Sequence, residues 1–92
     1  MSDAGSVAVS VPGGGGEALA FDGEEVLACA LDRAFAPGAP IELALSAGEA
    51  ALALRGKAIG SKRRLDGRFD VRVRLVSLRR EDREALSRAL RG

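Results

Sequence analysis

Three consecutive basic side chains could bind an anion. Lys62, Arg63 and Arg64 are adjacent in the chain, and ammonium and guanidinium groups bind phosphates or carboxylates through charge-assisted hydrogen bonds. Asp66 follows closely, so a solvated loop whose charges pair locally is the alternative interpretation. These three residues are therefore a candidate ligand cluster.

Two further groups of charged residues could contact a partner protein. The first is acidic and follows a predicted strand, and the second is basic and lies on the polar side of a predicted C-terminal helix. Complementary charges steer a partner and fix its orientation. The candidate partner-binding residues are Asp22, Glu24, Glu25, Arg80, Arg83 and Arg88.

The residues needed for most catalytic and metal sites are missing from the sequence. There is no histidine and only one cysteine, which excludes Ser/His and Cys/His nucleophile pairs and the usual zinc sites. Cys29 lies in the apolar run from Val26 to Leu31 and is predicted to be a small core residue. The glycine run Gly13–Gly16 lacks the Lys-Ser/Thr pair of a phosphate-binding loop. We expect no enzyme, no catalytic residue, no metal and no cofactor.

Charge is distributed unevenly along the chain. Net charge is +1, but residues 1–52 carry one basic and eight acidic groups, whereas residues 53–92 carry thirteen basic and five acidic groups. Two interpretations stay open: charges that pair across neighbouring strands, or a basic surface for an anionic partner. Nucleic acid is the weaker choice of partner, because the sequence has no Trp or Tyr and three Phe for base stacking. We expect no nucleic-acid binding.

The apolar segments are too short to cross a membrane. The longest, Val26 to Leu31, has six residues, against about 20 for a membrane-spanning helix. No Lys or Arg precedes Arg33, so the N-terminus lacks the basic region of a signal peptide. We expect a cytoplasmic protein with no membrane insertion.

The hydrophobic pattern predicts a mainly β protein with one C-terminal helix. Apolar residues alternate with polar ones in six segments, separated by glycine-containing turns, which is typical of a barrel or sandwich. A helical turn over Glu49–Arg55 is the alternative, but seven residues between glycines are too few for an independent helix. The predicted strands are Val7–Val11, Glu17–Phe21, Val26–Leu31, Ile41–Leu45, Leu52–Ala58 and Arg68–Val76.

The connections and boundaries follow from the same pattern. Turns are predicted at Asp22-Gly23, Pro37-Gly38, Ala47-Gly48 and Asp66-Gly67. Loops are predicted at Pro12–Gly16 and Ser61–Arg64. We expect a flexible tail over residues 1–5 and a single domain over 6–92, with the barrel at about 6–76 and the helix at about 79–90. One apolar stripe of that helix is predicted to cover the barrel: Leu78, Ala85, Leu86, Ala89 and Leu90.

The order of these elements resembles the PilZ family of bacterial six-stranded antiparallel β-barrels with a C-terminal helix. Leu31–Leu45 is similar to the family's block of proline and glycine followed by an alternating strand. Phe69–Leu78, with Glu81–Leu86 behind it, is similar to the family's last strand and helix. These segments cover roughly half of the chain, and the resemblance implies a PilZ-like barrel.

The family is known for binding cyclic di-GMP, but this chain departs from both of its ligand motifs. The Arg-x-x-x-Arg pair ahead of the first barrel strand is absent, since nothing before Arg33 is basic. In the second motif, Asp/Asn-x-Ser-x-x-Gly, Asp22 matches, while Glu24 replaces the serine and Leu27 the glycine. Additional carboxylates repel a dianionic ligand. The chain therefore resembles a degenerate member that does not bind cyclic di-GMP in the usual way.

The resemblance implies a regulatory role. Members of this family act in type IV pilus function, motility and cell polarity, so we expect a cytoplasmic adaptor, recruited to a cell pole, that works by protein–protein contact. The alternative that stays open is a cyclic di-GMP effector with a non-standard arginine cluster, built from Arg63 and Arg64 with Arg72 or Arg74.

Overall fold

The computed structural model describes residues 7–47 and 50–90. Six antiparallel strands form a closed barrel in the order β1-β2-β3-β6-β5-β4, followed by one helix. The predicted fold class, a six-stranded barrel with a C-terminal helix, is confirmed. The predicted tail over residues 1–5 and Gly48 of the predicted Ala47-Gly48 turn lie outside the described residues. The elements are β1 Val7–Val11, β2 Gly14–Phe21, β3 Val26–Leu31, β4 Pro40–Ala47, β5 Ala50–Arg63, β6 Phe69–Val76 and α1 Arg80–Ala89.

The barrel core is built from the inward faces of alternating strands. In β6, Val71, Val73 and Leu75 are buried while Arg72 and Arg74 are exposed, as the two-residue period of a strand requires. The same alternation holds in β1, β4 and the first half of β5. The strands are stabilised by this shared core, whose largest fully buried side chains are Leu27, Leu31, Leu86, Val7, Val71, Val73 and Cys29.

The first hairpin differs from its prediction. The glycine run was expected to be a loop, but Gly14, Gly15 and Gly16 belong to β2 and pair with β1. Only Pro12 and Gly13 form the turn, and Gly13 has a φ of +84°. A Cβ on Gly15 would lie 2.8 Å from a β1 carbonyl oxygen, and one on Gly16 would overlap a β3 carbonyl. Glycine is therefore the residue that fits positions 15 and 16 of this strand, because the neighbouring backbones leave no room for a Cβ.

Strand β5 is longer than predicted. Ser61, Lys62 and Arg63 were expected in a loop, but β5 continues through Arg63 and pairs with β6 to its end. The ladder shifts register between Ala58 and Gly60. This bulge adds one residue to β5 and changes which of the later residues face outward. A simple alternation therefore does not describe the second half of the strand.

The predicted turns at Asp22-Gly23, Pro37-Gly38 and Asp66-Gly67 and the predicted helix are confirmed. Gly23, Gly38 and Gly67 have φ values of +90°, +85° and +91°, which glycine adopts without steric cost. The helix, predicted at about 79–90, occupies Arg80–Ala89. Its first turn is acidic and its last turn basic, as the helix dipole favours.

The helix covers one end of the barrel. Leu86 is completely buried in the barrel core, and Leu78, Ala89 and Leu90 pack against the same cluster. Ser77, with a φ of 55°, lies at the junction between β6 and the helix. The predicted apolar stripe therefore closes the end at which β6 finishes.

The opposite end of the barrel is held by contacts of the β3–β4 connection with the first hairpin and with β5. The Arg33 guanidinium donates to the Pro12 carbonyl at 2.9 Å and lies 5.0 Å from the centre of the Phe35 ring. The Ser61 hydroxyl accepts from the Phe35 N–H at 2.8 Å and donates to its carbonyl at 2.7 Å. These contacts fix the β3–β4 connection onto β5 and onto the first hairpin.

Candidate functional site

The acidic loop between β2 and β3 is organised by one carboxylate. Oδ1 of Asp22 accepts hydrogen bonds from the backbone N–H groups of Glu24, Glu25 and Val26 at 2.8, 3.0 and 3.1 Å. These N–H groups, that of Glu24 first, lower the pKa of Asp22 below its ordinary 3.8. The carboxylate of Asp22 therefore shapes the loop, while Glu24 and Glu25 remain exposed.

The helix contacts this loop directly. Nε of Arg83 donates to the Glu24 carbonyl oxygen at 3.1 Å, across 59 residues of sequence. Beside this contact lies a shallow depression lined by Gly23, Arg83, Glu84, Ser87 and Arg88. The acidic loop and the helix thus meet at Arg83 and Arg88. We refer to the candidates on these two elements together as the helix–loop surface: Asp22, Glu24, Glu25, Arg80, Arg83 and Arg88.

The helix–loop surface carries charges of both signs. Glu25 lies 3.7 Å from the guanidinium of Arg74 on β6, so one loop carboxylate has a cationic neighbour. Arg80 and Arg88 are exposed and form no ion pair within the described part of the chain. Exposed charges in this arrangement suit ion pairs with a protein partner. The loop carboxylates make the same place unfavourable for a phosphate.

The predicted ligand cluster lies at the far end of the barrel. Arg63 pairs with Phe69 at the start of β6, whereas the acidic loop meets Leu75 near the end of β6 through a 2.7 Å hydrogen bond from Leu75 N–H to the Glu25 carbonyl. Antiparallel strands rise about 3.4 Å per residue, so the two places are roughly 20 Å apart along β6. Lys62, Arg63 and Arg64 therefore do not join Asp22 in one site.

One member of that cluster is already paired with acidic neighbours. Nη1 of Arg64 lies 2.6 Å from Asp70, and its Nε lies 3.5 Å from Asp66. The hydrogen bond to Asp70 raises the pKa of Arg64. Both carboxylates line the same shallow depression as Lys62 and Arg63. Only Lys62 and Arg63 are left to bind an anion there, next to two carboxylates that oppose it.

The single cysteine is part of the core. Cys29 is fully buried, and burial raises the pKa of its thiol to about 12. Because the thiolate is the nucleophile, a thiol in this state is inert at neutral pH. In the part of the chain that the structure describes, no group of three or more His, Cys, Asp or Glu could hold a metal ion.

A further set of cations combines Arg72 and Arg74, which the sequence suggested only as partners of Arg63 and Arg64, with Arg55 and Lys57, which it did not suggest for any site. Arg55 and Lys57 on β5 and Arg72 and Arg74 on β6 all lie on the outer face of adjacent strands. The signal was present, because both strands alternate basic and apolar residues. Their meeting on one surface follows from the pairing of β5 with β6, in which Lys57 lies opposite Arg74.

Comparison with protein-family models, with curated proteins and with solved structures returned no match for this chain. Over residues 7–47 and 50–90, the structure has no helix with the length and apolar character needed to cross a membrane.

Proposed function

We propose that this chain is a non-enzymatic PilZ-like regulatory adaptor that acts by protein–protein contact through the helix–loop surface. Its setting would be bacterial motility, type IV pilus function or cell polarity, in the cytoplasm and at a cell pole. The observation that carries the proposal is the contact of Arg83 with the Glu24 carbonyl, which joins the acidic loop and the arginine side of the helix into one exposed surface.

The fold supports the family part of the proposal. A closed six-stranded barrel with one C-terminal helix is the scaffold implied by the resemblance of Leu31–Leu45 and Phe69–Leu78 to PilZ proteins. Fold alone does not specify function, so the proposal also depends on the ligand motifs and on the exposed surface.

The acidic loop supports action without cyclic di-GMP. The Asp22 carboxylate, the one residue that fits the family's second motif, is occupied by three backbone N–H groups of its own loop. Glu24 stands where that motif has serine, and both Glu24 and Glu25 are exposed. A dianionic ligand placed here would meet the carboxylates of Glu24 and Glu25, and the nearby cations Arg74 and Arg83 already contact the loop.

The same charges favour a protein partner. Mixed exposed charges around a depression give orientation and specificity in protein–protein contacts. The depression between Gly23 and the helix residues Arg83 and Ser87 gives a partner side chain a place to enter. The helix is anchored to the barrel by Leu86, so the surface is presented on a rigid support.

The experiment is charge reversal combined with cross-linking in the native host. A photo-reactive residue replaces the half-exposed Ser87 and captures the partner. The yield of cross-linked partner is then compared between the unaltered surface and two variants. One is the double variant Arg80→Glu/Arg88→Glu, and the other is Glu24→Lys. Arg63→Glu is the matched control, since it reverses an exposed arginine at the opposite end of the barrel.

We expect both helix–loop variants to lose the cross-link and to change motility, and Arg63→Glu to change neither. Circular dichroism first confirms that every variant is folded. If the helix–loop variants retain the cross-link and normal motility, the surface assignment is wrong. If Arg63→Glu alone abolishes function, the non-standard arginine cluster replaces the adaptor surface as the proposal.

A further inference from the structure

The outer face of β5 and β6 carries a line of cations that the proposed adaptor surface does not use. Before the register shift at Ala58 and Gly60, the outward residues of β5 include two basic side chains, and after it Lys62 lies on the same side because of the extra residue. All of these cations are exposed. We call the set the cationic stripe: Arg55, Lys57, Lys62, Arg72 and Arg74.

Lys57 and Arg72, in the middle of the cationic stripe, have no acidic residue opposite them in the strand ladders. Lys57 lies directly opposite Arg74 in the ladder, and like charges in that position repel each other. Arg74 has Glu25 at 3.7 Å, but no other member of the stripe forms an ion pair among residues 7–47 and 50–90. The fold therefore tolerates a repulsive pair where a bound anion would relieve the repulsion.

The residues around the stripe leave its charged groups accessible. Arg72 lies opposite Ala28 on β3 and Gly60 on β5, neither of which has a side chain long enough to cover it. A shallow depression with an apolar floor, which includes Leu19 and Ala28, lies between Arg72 and Lys62. Ile59, at the bulge, is 39% exposed. The stripe thus combines cations with small apolar contact areas.

We propose that the cationic stripe binds an extended acidic segment of a partner protein, with Asp or Glu at alternate positions. On one face of a strand, alternate side chains repeat about every 6.8 Å, and an extended peptide repeats its own alternate side chains at the same spacing. Carboxylates of such a segment would meet successive cations along β5 and β6. The apolar residues between the carboxylates would contact Ile59 and the floor between Arg72 and Lys62.

A short acidic peptide fits better than a nucleic acid for two reasons. The chain has no Trp or Tyr, and Phe21, Phe35 and Phe69 are half-buried against the core, so no base-stacking surface accompanies the cations. Carboxylates also border the stripe, because Glu42 lies opposite Arg55 and Asp70 lies opposite Lys62. A long polyanion would meet both carboxylates, whereas a segment of a few residues can centre on Lys57 and Arg72, which have no acidic residue opposite them in the ladders.

Fluorescence anisotropy with a labelled synthetic peptide tests this inference. The probe carries about four glutamates at alternate positions, separated by valine and serine, and the control probe has glutamine in their place. The test variant is Lys57→Glu with Arg72→Glu. The matched control is the double variant Arg80→Glu/Arg88→Glu, which changes the net charge by the same amount but on the helix. If charge reversal in the stripe prevents folding, Lys57→Gln/Arg72→Gln replaces it as the test variant.

We expect saturable binding of the glutamate peptide at moderate salt, weakened about tenfold or more by the stripe variants and by less than about twofold by the helix variants. No binding, or equal loss in both double variants, would overturn the inference. Tighter binding of a uridine oligonucleotide, or of vesicles containing phosphatidylserine, would replace the acidic segment by that partner. A peptide of the same composition with its glutamates next to one another is expected to bind more weakly than the alternating peptide. Equal affinity of the two peptides would contradict binding in an extended conformation.

The stripe and the helix–loop surface touch at the ion pair of Arg74 with Glu25, but they share no residue and are tested by different variants, so the two proposals fail separately. Loss of the in-cell cross-link at Ser87 tests only the helix–loop surface, and loss of peptide binding tests only the stripe.

Discussion

Replacing Leu86 by alanine tests whether the helix is an integral part of the barrel core. Leu86 is 0% exposed and is the buried residue of α1. Leu→Ala changes at fully buried positions cost about 2–5 kcal/mol, since they remove apolar contacts and leave a cavity. A domain of 92 residues has a free energy of unfolding of about 5–14 kcal/mol. We therefore expect Leu86→Ala to remove a large fraction of the stability.

The same substitution at Leu65 is a matched control. Leu65 is 109% exposed, at the turn between β5 and β6, so Leu65→Ala is expected to change the free energy of unfolding by less than about 0.5 kcal/mol. Urea titration is followed by circular dichroism, with thermal melting as a second readout. For Leu86→Ala the melting temperature should fall by at least about 8 °C, from about 4–8 °C per kcal/mol for a domain of this size.

Two results would refute this reasoning. A loss below about 1 kcal/mol for Leu86→Ala would mean that the helix does not fill the barrel end. Loss of the helical signal with an unchanged barrel transition would mean that the helix and barrel are independent units.

Three further predictions concern the strands and the acidic loop. Lys57→Glu places a carboxylate opposite Arg74 and should raise the free energy of unfolding by about 0.2–1 kcal/mol in urea titrations; a decrease would contradict a repulsive pair. Gly16→Ala, whose Cβ would overlap a β3 carbonyl, should destabilise by about 1–3 kcal/mol, whereas Gly60→Ala, with open space around its Cβ, should be neutral or stabilising. The pKa of Asp22 is lower in the folded protein than its ordinary value of 3.8. Its carboxylate therefore contributes to the free energy of unfolding above pH 3.8, and this contribution is lost as the pH falls through the pKa of the folded state. The difference in urea unfolding midpoint between the unaltered protein and Asp22→Asn should therefore become smaller as the pH is lowered. A difference that does not change with pH would refute the role of the Asp22 carboxylate in holding the loop.

Most of the fold is predictable from local patterns. In β6 the alternation from Phe69 to Val76 sets both the strand and its buried face, and Gly67 marks the turn before it. These features depend on neighbours in sequence, since side-chain period and turn chemistry are local properties. The helix is predictable for the same reason, from its apolar stripe and its charged ends.

The mistaken predictions concern places where distant strands determine local structure. Gly14–Gly16 are typical of a loop, yet they lie in β2 and pair with β1; at Gly15 and Gly16 the backbones of β1 and β3 approach too closely for a Cβ. Lys62 and Arg63 are typical of an exposed loop, yet β6 extends the ladder to include them. These tertiary contacts and the bulge near Gly60 leave no mark in the local sequence pattern, and a strict alternation would place Lys62 on the inner face of the barrel.

The candidate site was predicted in pieces. Asp22 and the arginines of the helix were recognised by residue type, but their meeting depends on how the barrel closes, with Glu24 and Arg83 separated by 59 residues. The alternative cluster was also recognised by type, and its pairing with Asp70 depends on the β5–β6 ladder. Residue chemistry is therefore readable from sequence, whereas its arrangement requires the register of the strands.

The measurement that tests the central claim most directly is a calorimetric titration of the purified chain with cyclic di-GMP at moderate salt, alongside a PilZ protein with both ligand motifs intact. An adaptor that works by protein contact predicts no heat of binding and no thermal shift, while the motif-intact protein binds. Saturable micromolar binding would contradict the account, and its loss on replacing Arg63 and Arg64 would assign the ligand to that cluster.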